Sequence, residues 1–291
     1  MKDLLANLPE NIRQRLAEAQ KMNTLNDTEQ TYQPRIQNVI SDKCHFKECD
    51  GSGLIAIYDD ELGEMMAFCR CREHRELMNK IKSARIPLEY EQATVKAFDP
   101  NLYTDPIDIE KAKYAKQVTI RFVEKYYAMK EMGKGLYLYS QTKGVGKTHL
   151  AISVANALIQ KYQVQPLYIS SVNLLNEIKK TFQQSDNNTT YDLLQTFKEA
   201  EVLIIDDFGV EKATDWSEEI ITQILEERMN YKRITIITSN IAINQLNKKY
   251  PTGRIESRIE KTTFPINLPE ESVRKKLSKQ ENDLIAKLFF E

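Results

Sequence analysis

The chain has 291 residues, of which 41% are hydrophobic and 29% charged, with a formal net charge of −1. That length suits one sizeable core plus a smaller appended unit, and the near-neutral balance excludes bulk electrostatic attraction to nucleic acid, so any such contact would use a local patch. No apolar run is long enough for a signal peptide or a bilayer span, so the expectation is a cytoplasmic protein with no membrane partner.

Residues Pro9 to Met22 read as a short helix, with proline in the first turn and Ile12, Leu16 and Ala19 on one face. Asn23 to Gln33 is polar and aperiodic, a linker. All four cysteines fall between Cys44 and Cys71. In a reducing compartment such clustering reads as metal ligation before disulfides. Strands over Leu54–Tyr58 and Met65–Phe68, with a turn at Asp59–Gly63, form a hairpin. That hairpin brings the pair Cys44/Cys49 to the pair Cys69/Cys71, giving a four-thiolate Zn²⁺ site of structural type. His74 is an alternative ligand, and His45 a more remote one. A basic helix follows from Arg72 to Arg85, stopped by Pro87.

Beyond it, apolar strands alternate with helical patterns. The strands are Leu136–Tyr139, Leu167–Ser170, Val202–Asp206, Thr235–Thr238 and Phe264–Asn267. The helices lie around Ile109–Met132, Lys147–Lys161, Val172–Phe182, Tyr191–Ala200 and Ser217–Tyr231, and Gln183–Thr190 reads as a polar loop. This alternation predicts an α/β fold whose parallel sheet is covered on both faces. The expected organisation is an N-terminal helix and linker (1–33), a zinc-binding module (34–86) and a larger α/β domain (87–291).

The strand Leu136–Tyr139 runs into Ser140-Gln141-Thr142-Lys143-Gly144-Val145-Gly146-Lys147-Thr148, then a helix. Glycines let the backbone approach phosphate oxygens, and the helix N-terminus favours negative charge. Residues Gly144, Val145, Gly146, Lys147, Thr148 and His149 are therefore the expected ATP-binding loop. Lys147 would reach the β/γ-phosphates and Thr148 would coordinate Mg²⁺. The pattern departs at Gln141, where G-x-x-x-x-G-K-[ST] has glycine. The apolar strand Val202–Ile205 ends in Asp206 and Asp207, a Walker B arrangement. Asp206 is expected at the Mg²⁺ edge, and Asp207 orients or activates the attacking water. Asn240, at the end of the strand before it, is placed to meet the γ-phosphate or that water. Arg254, Arg258 and Arg274 are candidate phosphate sensors, with solvated surface arginines as the alternative.

These segments, together with Ile204–Gly209, Thr238-Ser239-Asn240 and the entry Ile86-Pro87-Leu88-Glu89-Tyr90 with Phe98 following, resemble the AAA+ ATPases of the DnaC/DnaI helicase-loader group. Phage-type loaders of that group carry an N-terminal cysteine module like this one. The resemblance runs from about residue 40 onward. It implies an AAA+ ATPase that binds a DnaB-type replicative helicase and delivers it to single-stranded DNA, assembling with copies of itself into a ring or spiral when ATP-bound. It places Arg258 as the arginine finger reaching a neighbour's site and Arg274 as the sensor-2 residue. Asp207 stands where many AAA+ proteins have glutamate, which implies slow, switch-like hydrolysis. Lys179, Lys180 and Phe182 are candidates for single-strand contact, with an ordinary amphipathic helix as the alternative. The N-terminal region, with Leu4, Leu5, Leu8, Ile12 and Leu16, and the module over 34–86 are the candidate helicase-binding surface, with packing of those apolar residues on the ATPase domain as the alternative. Competing readings are an IstB-type transposition-regulator ATPase, an initiator, and an ATP-binding module without significant hydrolysis. The short stretch after Phe264 leaves no room for an initiator's helix-turn-helix domain.

Overall fold

The computed structural model describes residues 35–36, 41–42, 44, 46–59, 63–72, 75, 79, 83–183 and 187–290. The helix expected over 9–22, the linker 23–33, His45, His74 and most of the helix expected over 72–85 lie outside the described residues. The chain divides into two units, Met1–Asn79 and Lys80–Glu291.

In the first unit, β1 (Arg35–Ile36), β2 (Leu54–Asp59) and β3 (Gly63–Phe68) form an antiparallel sheet in the order β1-β2-β3. The hairpin register pairs Leu54 with Phe68 and Ile57 with Met65. Side chains alternate between faces of a strand, so Ile55, Ile57 and Ala67 are buried with the four cysteines while Met66 and Phe68 are exposed. The guanidinium of Arg72 lies 4.6 Å from the Phe68 ring centroid and that of Arg70 4.7 Å from the Phe46 centroid.

The second unit carries a parallel sheet of β4 (Gly135–Tyr139), β5 (Pro166–Ser170), β6 (Val202–Phe208), β7 (Ile234–Ser239) and β8 (Thr263–Asn267), in the order β5-β6-β7-β4-β8. The central strands are continuous apolar runs because both faces are covered; every residue of β7 is buried. Helices α1 (Pro106–Glu124), α2 (Tyr126–Met132), α3 (Lys147–Tyr162), α4 (Ser171–Gln183), α5 (Asn187–Glu199), α6 (Asp215–Asn230), α7 (Arg254–Thr262) and α8 (Val273–Phe290) complete the unit. The crossover from β4 to β5 passes over β7 and β6, whereas β8 lies on the other side of β4. The carboxyl end of β4 is therefore the switch point at which an open α/β sheet has its crevice.

All five expected strands are present within a residue or two of their expected limits. The helix expected over Ile109–Met132 is two helices. Asp105 starts the first by accepting from the Ile107 and Asp108 N–H groups. The break falls at Lys125, where Tyr126 turns inward to full burial and donates its hydroxyl to Glu201 at 2.9 Å. Helix α5 begins inside the stretch read as a polar loop, because Phe197 anchors it in the core. Helix α8 lies in the stretch after Phe264, where no helix was expected; its Lys, Gln, Glu, Leu and Ala residues are good helix formers. Ala84, Arg85 and Ile86 pack with the second unit: the Tyr168 N–H donates to Ala84 O at 2.8 Å, and Arg85 pairs with Glu177 at 2.8 Å.

Candidate functional site

The glycine loop leaves β4 and turns into α3 through two left-handed glycines, Gly144 at φ 78° and Gly146 at φ 90°. Contacts as well as dihedrals demand glycine there. A Cβ on Gly146 would lie 2.7 Å from the Phe98 ring, and one on Gly144 2.8 Å from both Ser272 Oγ and Arg274 Cβ. The loop curls around Lys147, whose buried ammonium donates to Ser140 O at 3.2 Å and Thr142 O at 2.7 Å. Burial pushes the Lys147 amine down to about 8, against the carboxylates of Asp207, Glu270 and Asp206, which hold it up.

Asp206 ends the unbroken buried run of β6 and gathers three hydroxyls: Thr148 Oγ1 at 2.9 Å, Thr238 Oγ1 at 2.6 Å and Tyr168 OH at 2.7 Å. On a regular strand Asp206 and Asp207 would face opposite sides. Here the ladder with β7 shifts register between Ile205 and Phe208, and Asp207 adopts a left-handed φ of 50°. Across this bulge both carboxylates act electrostatically on the Lys147 amine, holding it up. The Asp207 N–H is held by Thr238 Oγ1 at 2.9 Å and its carbonyl by Ser171 Oγ at 2.9 Å. Partial desolvation, then the charge of Asp206, pushes the Asp207 carboxyl above the ordinary carboxylate range.

A cavity of about 580 Å³ opens over this arrangement. Gly144, Gly146, Lys147, Thr148, His149, Asp207, Asn240 and Arg274 line it. Val145 is buried behind the loop, its carbonyl accepting from Tyr103 OH at 2.8 Å. Asn240 Oδ1 is buried without a hydrogen-bond partner among the described residues, an acceptor aimed at no protein donor. Arg274 opens α8 with its N–H on Gly144 O at 3.1 Å, which fastens the start of that helix to the glycine loop. The cavity's size and its left-handed glycine cradle with a lysine fit a nucleoside triphosphate, and the orphaned Asn240 acceptor fits a donor such as a water beside it. The Thr148 hydroxyl beside the Asp206 carboxylate fits a divalent cation of the hard, oxygen-liganded kind.

Arg258 is not part of this cavity. On α7 its guanidinium pairs with Glu226 at 3.1 Å and donates to Arg254 O at 2.9 Å, while Arg254 is exposed. Lys179 and Lys180 lie on the outer face of α4, beside Asn173, Asn176 and Glu177; the Phe182 side chain lies outside the described residues. Several residues at the site carry no motif signal: Leu102 and Tyr103 on the cavity wall, Tyr168 on Asp206, and Glu270 on the glycine loop; Tyr90 on the wall and Thr238 on Asp206 fall within the segments that carry the resemblance, but with no role expected of them. The wall is anchored to α3 by Asn156 Nδ2, which donates to the carbonyls of Tyr90, Glu91 and Ala93.

In the first unit the Sγ atoms of Cys44, Cys49, Cys69 and Cys71 all lie within 4.8 Å of one another, and all four residues are buried. The Cys44–Cys69 and Cys49–Cys71 separations are 3.7 and 3.4 Å. Four thiolates around tetrahedral Zn²⁺ would be roughly 3.8 Å apart. The Glu48, Gly51 and Cys71 N–H groups point at Cys44, Cys49 and Cys69 sulfurs at 3.3 to 3.4 Å. Burial pushes the Cys69 and Cys71 thiols up, so a bound cation would supply the charge that four thiolates need.

A family model described as IstB-like ATP binding protein matches residues 56–280. The chain belongs to the IstB-like ATP binding protein family. Several of its relatives carry loader names. It is 32% identical over 155 residues to the replicative helicase loader DnaI of Bacillus subtilis, covering 49% of this chain and 48% of that protein. A crystal structure of DnaI superposes with TM-score 0.51 at 30% identity, covering 62% of this chain and 94% of that one. A crystal structure of the DnaC helicase loader superposes with TM-score 0.54 at 24% identity, covering 62% and 99%, and shows the shared fold. The chain spans about half the length of the curated relatives it matches. The resemblance to DnaC/DnaI-type proteins and the AAA+ P-loop fold both hold, and the transposition-regulator alternative is not favoured. Among the described residues no helix is long and apolar enough to cross a membrane.

Proposed function

We propose that this chain is an ATP-dependent loader that binds a DnaB-type replicative helicase and delivers it to single-stranded DNA. The observation that carries this reading is the similarity to DnaI, in sequence and in fold, over a unit whose nucleotide residues converge on one cavity. Lys147 and the loop N–H groups from Gly144 to His149 would hold the ATP phosphates, with Arg274 contributing from the same subunit. Thr148 and Asp206 would hold Mg²⁺, which neutralises phosphate charge when bound. Asp207 would accept a proton from the attacking water, and Asn240 Oδ1 would orient that water. The raised Asp207 carboxyl suits a base better than an ordinary aspartate. Its shorter reach, and a backbone already held in a bulge, suit slow hydrolysis of the kind a switch needs.

Arg258 lies away from its own subunit's cavity, and in this reading it completes a neighbour's site, so hydrolysis requires head-to-tail assembly into a ring or spiral. The cysteines hold one structural Zn²⁺, with His74 as an alternative ligand, and the N-terminal parts (1–33 and the cysteine module) supply the helicase-binding surface. Lys179, Lys180 and Phe182 serve single-strand contact. We place the protein in the cytoplasm. Co-purification tests the reading: the tagged chain should retain a DnaB-type helicase in the presence of ATP. Binding and turnover of ATP with no retention of helicase would leave an ATPase that is not a loader. ATP binding with no turnover, with or without single-stranded DNA, would favour the non-hydrolysing module.

A further inference from the structure

The segment between β8 and α8 meets the glycine loop at Ser140, Gln141, Thr142 and Gly144. Its Glu270 carboxylate accepts from the Gln141 N–H at 3.3 Å and the Thr142 N–H at 3.0 Å, and lies 3.0 Å from the Ser140 hydroxyl. The same stretch of backbone holds Lys147 from the other side. The peptide joining Ser140 to Gln141 therefore presents its carbonyl to the Lys147 ammonium and its N–H to the Glu270 carboxylate. A peptide pinned between an anion and a cation is polarised by both, and each hydrogen bond strengthens the other. The brace falls on Gln141, where the loop departs from the usual glycine.

We propose that Glu270 is a positioning residue for Lys147, clamping the Ser140–Thr142 backbone so that the lysine is aimed at the phosphates before nucleotide arrives. This rests on the reading of the glycine loop as the ATP site. The clamp leaves the phosphate-facing N–H groups from Gly144 onward free for their ligand, because it uses only the two loop N–H groups before them. The geometry also separates the clamp from the rest of its segment. The backbone there is fastened independently, with the Leu268 N–H on Tyr139 O at 2.8 Å, the Glu270 N–H on buried Asp108 at 3.0 Å, and the Arg274 N–H on Gly144 O at 3.1 Å. Removing the Glu270 side chain thus withdraws the clamp without releasing Arg274. Glutamine preserves the shape but offers one acceptor oxygen where the carboxylate offers two, and its amide N–H₂ opposes a donor.

The test is a double-mutant cycle on the full chain, read as equilibrium affinity for a fluorescent ATP analogue. Glu270→Ala should weaken binding about tenfold and Glu270→Gln about threefold, the size expected when charge-assisted bonds to a preorganised loop are lost. In a Lys147→Ala background, Glu270→Ala should change affinity less than about twofold, because the group it positions is gone. An effect acting through general loop stability would instead persist in that background and overturn the inference, as would wild-type affinity in both Glu270 variants. If Glu270→Ala fails to fold, Glu270→Gln carries the same cycle. Wild-type affinity in Lys147→Ala alone would overturn the ATP-site reading itself, so the two failures are distinguishable.

Discussion

Thr238→Val is the sharpest perturbation of the Walker B strand that leaves its shape intact. The Thr238 side chain is fully buried; its hydroxyl donates to Asp206 Oδ1 at 2.6 Å and accepts from the Asp207 N–H at 2.9 Å. One hydroxyl therefore ties both carboxylate residues to β7, across the register shift that gives Asp207 its left-handed φ of 50°. Valine fills the same volume and makes neither bond. Asp206 keeps Thr148 and Tyr168, so the lost charge-assisted bond costs the lower end of its usual range, ~1.5 kcal/mol. The orphaned Asp207 N–H adds a similar ~1.5 kcal/mol. The sum, about 3 kcal/mol, is roughly a hundredfold in the folding equilibrium. Urea unfolding followed through Trp216, which packs against the ATPase core and is the one tryptophan in the chain, reads this unit. The Val variant should lose about 3 kcal/mol at unchanged denaturant slope, and turnover should fall more than ATP affinity, since the bulge that aims Asp207 is what loosens. Thr238→Ser, which keeps both bonds, should stay within ~1 kcal/mol of wild type, the cost of a buried methyl. A Val variant within about 0.5 kcal/mol of wild type and fully active would refute the reasoning.

Lys147→Ala should weaken ATP binding severely while leaving a residual affinity that equilibrium titration at high nucleotide still reads, because the phosphates lose their main cation. Asp207→Asn should bind ATP and fail to hydrolyse it, whereas Asp206→Asn should also lose Mg²⁺ dependence; unchanged turnover in both would remove the Walker B roles. Elemental analysis should find one Zn²⁺ per chain, and chelation should unfold the first unit while ATP affinity survives; no metal, with four freely titratable thiols in the folded protein, would eliminate the centre. Arg258→Ala should bind ATP almost normally and hydrolyse it poorly, and mixing it with Lys147→Ala should restore part of the activity in a single-turnover assay. Full activity of dilute, monomeric Arg258→Ala would make Arg258 a structural partner of Glu226 alone.

Residues contiguous along the chain were legible in the sequence, and those meeting only through the fold were not. Gly144 to Thr148 and the Asp206–Asp207 pair announce themselves because strand, turn and helix follow directly, and the pairing of β7 beside β4 brings Asn240 between them. Tyr103, Tyr168 and Glu270 carry no local pattern. Each reaches the site across a long chain separation, as Glu270 does in accepting from Thr142. The bulge at Asp207 was invisible for a related reason: two adjacent aspartates say nothing of register, and only the ladder with β7 shows the shift that departs from strict alternation. The single helix expected over Ile109–Met132 failed at Lys125 because apolar periodicity continues through it, while the inward turn of Tyr126 toward Glu201 is a tertiary choice. Phe98 was noted as part of the entry to the core, but its packing against Gly146 is what makes that glycine obligatory.

Loading of a helicase onto single-stranded DNA is the activity proposed for this chain. The most direct measurement mixes the full chain, a DnaB-type helicase and circular single-stranded DNA, and counts helicase that stays on the DNA after a salt wash. Retained helicase should rise with the wild-type chain and ATP, and fall to the background level with Lys147→Ala or without nucleotide. Retention that is the same with and without the chain, or that persists with Lys147→Ala, would contradict it.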